Sequence, residues 1–299
     1  MEKKRIHVGG IDLVYEECGC SNKEKVIVLL HGFCGSSSYW QKICPVLSDQ
    51  YRVIIPNLRG HGGTGSPEGI YTMEVMAKDI AALLDALVIE KVVMFGHSLG
   101  GYVTAAFAEA YPDRLSGFGL IHSTVLPDDE TAKEKRLRDI ADIRAGGIEP
   151  FVRRLIPNLF KEDKVDEMQE EVEPLIRIAQ QMTPEAAIST IEGMMLRTDR
   201  SRVLAEANYP VLLVAGSEDG VVKPDETFTV TNLYETETTY KYPHILETTF
   251  EDVAHMSLVE VSDQLARVMS TYLKTLYERE DKRKEGNTDA AYEKYPHCT

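Results

Sequence analysis

Residues 93 to 104 read Val-Met-Phe-Gly-His-Ser-Leu-Gly-Gly-Tyr-Val-Thr, with a serine between two glycines where an apolar strand pattern gives way to a helical one. The pentapeptide Gly96-His97-Ser98-Leu99-Gly100 is a G-x-S-x-G turn, with the apolar run from Lys91 to Phe95 before it and a small-residue helical pattern from Gly101 to Ala110 after it. Few arrangements accommodate this. A side chain two residues to either side of the serine would strike the neighbouring strand or helix, and the serine must take up a strained backbone conformation. Its hydroxyl then projects above the edge of a sheet, with the N-terminus of a helix beneath it to favour developing negative charge.

Strands and helices alternate around this point. Arg5 to Val8 and Ile11 to Glu16 read as a hairpin closed by Gly9-Gly10, and Val26 to Leu30 is a continuous apolar run of the kind buried on both faces of a parallel sheet. Ser38 to Leu47 reads as a helix and Tyr51 to Ile55 as a strand that stops at Pro56. Met73 to Leu87 carries apolar residues on one helical face. After the turn at Ser98, a strand is expected at Gly117 to Ile121, then Tyr209 to Gly216 and His244 to Thr249, with helices at Pro224 to Leu233 and Ser257 to about Tyr277. The pattern predicts an α/β fold with a doubly wound, mostly parallel sheet.

Between His122 and Asn208 the strand rhythm gives way to charged, helical sequence: Glu130 to Ile143, Glu149 to Leu155, Val165 to Met182 and Pro184 to Leu196. Breakers stand at Gly146-Gly147, Pro157, Pro174 and Pro184. The organisation expected is a core of residues 1–122 and 209–277, an inserted helical lid at 123–208, and a frayed polar tail at 278–299.

The chain of 299 residues is 43% hydrophobic and 27% charged, within the range of globular proteins, and no run approaches the roughly 20 apolar residues of a membrane helix. The basic start lacks an apolar stretch after it, so a soluble, cytoplasmic protein is expected. Cys18, Cys20, Cys34, Cys44 and Cys298 are an odd number in a chain that needs no staples, and are read as reduced thiols. Cys18-Gly-Cys20 lacks the further ligands of a metal site. A net charge of −15 repels phosphate backbones and anionic membranes. The partner expected is a small molecule, most easily a neutral or cationic one, with no nucleic acid, membrane insertion, cofactor or metal.

A serine hydroxyl needs a base to take its proton as it attacks. In open α/β sheets the catalytic groups sit in loops at the carboxyl ends of strands, which favours His255, between the last strand and the last helix; His122 is second, and His97 is expected to point away from the turn. His7, His244 and His297 read as incidental. Asp219 follows the strand ending at Ala215 and is preferred to Glu218 as the carboxylate that orients the base, with a plain Asp-Gly turn the alternative. Two backbone donors for an oxyanion are assigned to Leu99 and, in the loop after the strand at 26–30, to Phe33.

On His31-Gly32-Phe33, the Arg59-Gly60-His61-Gly62 loop, Gly96 to Gly101, Gly216 to Val222 and His255, the chain resembles the α/β-hydrolase superfamily over residues 5 to about 277. It looks like the small bacterial carboxylesterases and haloperoxidase-like esterases with a helical lid, a group that also holds carbon–carbon bond hydrolases and the menaquinone-pathway lyase. The resemblance implies the catalytic order Ser98, Asp219, His255. One departure is Asn57, where such proteins often have Asp.

The leading expectation is a serine hydrolase cleaving a small-molecule carboxylic ester through an acyl-enzyme. A lyase or carbon–carbon bond hydrolase on the same triad is the alternative, with Arg59, Arg197 or Arg202 as cationic groups for an acidic substrate; a non-catalytic ligand sensor comes last. Candidate pocket residues are His31, Trp40, His122, Leu126, Met182, Met194 and Met195, with Phe33 beside them, although methionines at helical spacing are more often plain core.

Overall fold

The computed structural model describes residues 2–20, 24–232 and 244–284. Strands β1 (Glu2–Val8) and β2 (Ile11–Cys18) form the expected hairpin, with Gly9 and Gly10 at φ +59° and +81°, the two positive φ values a tight two-residue turn requires. Then follow β3 (Val26–Leu30), α1 (Cys44–Ser48), β4 (Arg52–Pro56), α2 (Met73–Ala86), β5 (Val92–His97), α3 (Leu99–Ala110) and β6 (Leu115–Ile121). Five helices intervene before the next strand: α4 (Glu130–Gly146), α5 (Ile148–Leu155), α6 (Gln169–Ala179), α7 (Pro184–Met195) and α8 (Ser201–Ala205). The chain resumes with β7 (Val211–Gly216), α9 (Pro224–Thr227), α10 (Thr229–Asn232), β8 (Ile245–Phe250), α11 (Ser257–Glu260) and α12 (Ser262–Lys284).

The eight strands form one sheet in the order β1-β2-β4-β3-β5-β6-β7-β8. Pairing is antiparallel from β1 to β2 and from β2 to β4, and parallel from β4 onward. Every residue of β3, β5 and β7 is buried, as helices on both faces demand, which is why these strands read as unbroken apolar runs. The parallel strands all end on one edge of the sheet, and the turns after β3, β5, β6, β7 and β8 meet there.

Several expected elements differ. The helix expected at 38–47 is a short 3₁₀ turn, Ser37–Trp40, and then α1, because Pro45 has no N–H to continue a helix and is accommodated only in a first turn. The helix expected from Val165 starts at Gln169, and Pro174 lies inside it rather than ending it. The last helix is broken at Val261 and then runs to Lys284, so residues 278–284 are helical rather than tail. The helix is carried to this point by its buried face, Tyr272, Leu273, Leu276 and Tyr277, and Lys25 reaches Asp281 at 3.3 Å and the Tyr277 ring at 4.5 Å. The rest of the expected tail, with His297 and Cys298, lies outside the described residues, as does Leu233.

The reading of all the cysteines as reduced thiols fails for two of them. Pairing with β4 carries the end of β2 to α1, and there Cys18 and Cys44, with Cα atoms 7.1 Å apart, form a disulfide. Cys20 is free and exposed, Cys34 free and buried. No helix among the described residues is long and apolar enough to cross a membrane.

Candidate active site

Ser98 stands between β5 and α3 at φ +51°, ψ −115°. Its neighbours dictate that geometry. A Cβ on Gly96 would collide with the backbone of Gly100, and one on Gly100 would lie 2.5 Å from the carbonyl oxygen of Leu30, so only glycines let the turn approach the helix and β3 this closely. The strained residue is tied at both ends: its N–H donates to the Ile121 carbonyl at 3.0 Å, and its carbonyl accepts from Gly101 N–H and Ser123 Oγ, both at 2.8 Å.

His255 lies in the turn after β8, its backbone N–H held by the Leu159 carbonyl at 3.0 Å. Its Nδ1 donates to Asp219 Oδ2 at 2.8 Å. Asp219 is buried in the turn after β7, and its Oδ1 accepts from the N–H groups of Val221 and Val222 at 2.8 and 2.9 Å. Burial alone would push this carboxyl up; the charge of His255 and the hydrogen bonds from His122 and His255 outweigh it and hold Asp219 well below the usual carboxylate range. With Nδ1 bonded to Asp219, the Nε2 of a neutral His255 carries the lone pair, the tautomer a general base needs.

Two further histidines surround this pair. His122, at φ +49° just past β6, also donates from Nδ1 to Asp219 Oδ2, at 3.0 Å, while its buried Nε2 has no partner among the described residues. Burial lowers its pKa, so it stays neutral. His97 donates from Nε2 to the carbonyl of His255 at 2.9 Å, and burial depresses its pKa far more strongly. It therefore turns toward the cavity beside Ser98, not away from it as expected; the bond to the His255 backbone draws the ring inward. His122, Asp219 and His255 each bring one ligand atom within 4.8 Å of the others, but both Nδ1 atoms are engaged as donors to the carboxylate.

The loop after β3 is held by two more buried rings. His31 donates from Nδ1 to the Gly32 carbonyl at 2.8 Å and accepts at Nε2 from Leu58 N–H; His61 donates to the Arg59 carbonyl and accepts from Cys34 N–H. Burial depresses their pKa values to about 3 and about 4. Asn57 completes the clamp: Oδ1 accepts from Ser37 N–H at 2.6 Å and Nδ2 donates to the Gly62 carbonyl at 3.4 Å, the second of which an ionised Asp could not do. Among the described residues neither the N–H of Phe33 nor that of Leu99, the first residue of α3, meets an acceptor.

A cavity of about 470 Å³ opens over Ser98 and His255, lined from the core by Phe33, Tyr39 and Tyr102 and from the insertion by Phe151, Leu159 and Met194. Of the expected pocket residues, Phe33, Leu126 and Met194 line it. His31, Trp40, His122, Met182 and Met195 do not. His31 and His122 are consumed by the bonds just described, and Trp40 is wholly buried in the core. Met182 packs behind the loop with Sδ 3.9 Å from Cys34 Sγ, and Met195 is turned about 100° away from Met194 around α7. Arg59 grips Asp79 and Arg202 is exposed on Glu206, whereas Arg197 lines the cavity. The sequence reading missed Arg136 and Asp128 in the cavity wall, since their pairing appears only once α4 is folded over the sheet.

A sequence profile described as the alpha/beta hydrolase fold matches residues 25–260. A Bacillus subtilis protein named as a candidate 2-succinyl-6-hydroxy-2,4-cyclohexadiene-1-carboxylate synthase is 30% identical over 66% of this chain and 75% of its own length. The 3-oxoadipate enol-lactonase 2 of Acinetobacter baylyi is 28% identical over 62% of this chain and 67% of its own. Among solved structures, a thermophilic esterase from Thermogutta terrifontis superposes with a TM-score of 0.82 at 28% identity, covering 92% of this chain and 99% of the esterase.

Proposed function

Because the chain belongs to the α/β-hydrolase fold family, we propose that it is a serine hydrolase that cleaves a small-molecule carboxylic ester through an acyl-enzyme. Ser98 Oγ attacks the ester carbonyl as its proton passes to His255 Nε2, and the oxyanion is received by the N–H groups of Phe33 and Leu99. Collapse breaks the ester bond, the leaving alkoxide takes the proton from His255, and the acyl group stays on Ser98. Water then adds to the acyl carbon with His255 as base, releasing the acid and restoring the serine. Asp219 fixes the tautomer of His255 and stabilises its cation.

The observation that carries this reading is the 2.8 Å bond from His255 Nδ1 to a buried, ionised Asp219, beside a strained serine that shares its cavity. The names of the relatives support hydrolytic chemistry in the same fold. The test is a set of esters, thioesters and lactones of graded chain length offered to wild type and to Ser98→Ala. Wild type should hydrolyse at least one class, and the variant, with unchanged circular dichroism, should lose about 10³-fold or more in kcat. Equal hydrolysis by the variant rules Ser98 out as nucleophile. Arg136 and Arg197 in the cavity favour a second reading, a lyase using the same three residues on an acidic substrate, which would leave simple esters untouched.

A further inference from the structure

We propose that Arg136 and Arg197, two guanidinium groups that share the one carboxylate of Asp128 in the wall of the Ser98 cavity, form a subsite for a carboxylate of the substrate. The ester cleaved is then an anionic one, such as the half-ester of a dicarboxylic acid. This rests on Ser98 being the nucleophile of an ester hydrolase.

Asp128 lies between the two arginines at the start of the inserted helices. Arg136, on α4, donates to it from Nε at 2.5 Å and Nη2 at 3.2 Å, and Arg197, just past α7, from Nη1 at 2.6 Å. The side chains are 2% exposed for Asp128, 7% for Arg197 and 20% for Arg136. One buried and one partly exposed cation thus share a single bonded carboxylate in the cavity wall, an arrangement that a further anion would stabilise. Among the described residues no second carboxylate bonds either guanidinium. Arg197 Nε and Nη1 reach only the carbonyls of Leu126 and Met194 besides Asp128, and its Cζ lies 4.3 Å over the Tyr102 ring. Arg136 Nη1 reaches only the thioether of Met194, at 3.5 Å, a weak acceptor.

Of the other acidic residues at the cavity, Asp139 adds its field to Arg136 without bonding it and shares Arg154 with Asp142, whereas Asp129 caps α4 and Glu226 caps α9, both exposed. Arg136 and Arg197 thus keep Asp128 as the one carboxylate that bonds them. A planar carboxylate matches a guanidinium fork that one protein carboxylate leaves with donors to spare, which makes an acidic ester a better partner than the neutral or cationic one that the net charge of −15 suggested.

The experiment has two arms. Wild type is offered monomethyl and dimethyl esters of succinate, glutarate and adipate, and Ser98→Ala is titrated calorimetrically with the free dicarboxylates. The half-ester of at least one chain length should be preferred by about tenfold or more in kcat/KM, and Arg136→Met should raise KM for it about tenfold while leaving the diester unchanged. Arg136→Lys should recover part of that loss. Equal or better use of the diesters by wild type overturns the subsite and leaves ester hydrolysis standing. So does a parallel loss on both substrates in Arg136→Met, the mark of a merely structural pair. Should wild type cleave neither ester, dicarboxylate binding by Ser98→Ala upholds the subsite although the ester reading fails, and absence of binding overturns it.

Discussion

Asp219 accepts four N–H groups, two from the histidines His122 and His255 and two from the backbone, so that its charge is fully satisfied out of water. His31 and His61 are likewise bonded at both ring nitrogens and serve as neutral struts. His31 and His61 have pKa values of about 3 and about 4 when folded and 6.5 when unfolded. Below about pH 6.5 the unfolded chain gains a proton at each ring that the folded chain refuses, so stability present above 6.5 is lost as pH falls toward 4. The loss approaches about 1.4 kcal/mol per pH unit per ring. His97 and His122, also depressed, act in the same direction. The urea midpoint should fall markedly between pH 7.5 and pH 5; an unchanged or higher midpoint at pH 5 contradicts the neutral-strut account. The proposed roles of Ser98, Asp219 and His255 could be assigned from sequence because each sits in a turn that a strand end defines locally. The Asp128–Arg197 pair joins residues 69 apart, and no local pattern announces it.

Among the elements, the turn at Ser98 depends on contacts that glycine alone permits, and these contacts reach the loop that presents Phe33. A Cβ on Gly100 would lie 2.5 Å from the carbonyl oxygen of Leu30 and 2.8 Å from that of His31, both backbone atoms with no side chain to move aside. Gly100→Ala should therefore cost about 2 kcal/mol or more and lower ester hydrolysis along with stability. Gly220→Ala, where nothing lies within 4 Å, should change the unfolding midpoint little. Comparable midpoints for the two variants contradict the packing described. Elements with apolar periodicity, such as Met73–Ala86, were legible to within a residue. Short segments around Pro45 and the far end of the final helix were not, since a proline's place within a turn and the length to which a packed helix extends are tertiary matters.

Over the whole molecule, the sheet order brings the turns after β3, β5, β7 and β8 to one edge, where Phe151, Leu159 and Met194 from the segment between β6 and β7 line the cavity with Ser98. The alternation of strands and helices made that architecture legible, together with the insertion. The cavity was not, because it is formed between core and insertion and its walls are set by how the helices pack. If this edge carries a reactive serine, a fluorophosphonate will phosphonylate it in place of a substrate. Intact-mass spectrometry of the treated chain should show one adduct, mapped by proteolysis to the peptide holding Ser98 and absent from Ser98→Ala. No adduct on the folded wild-type chain, or an adduct on another residue, would contradict the account and favour a chain that binds ligands without acylation.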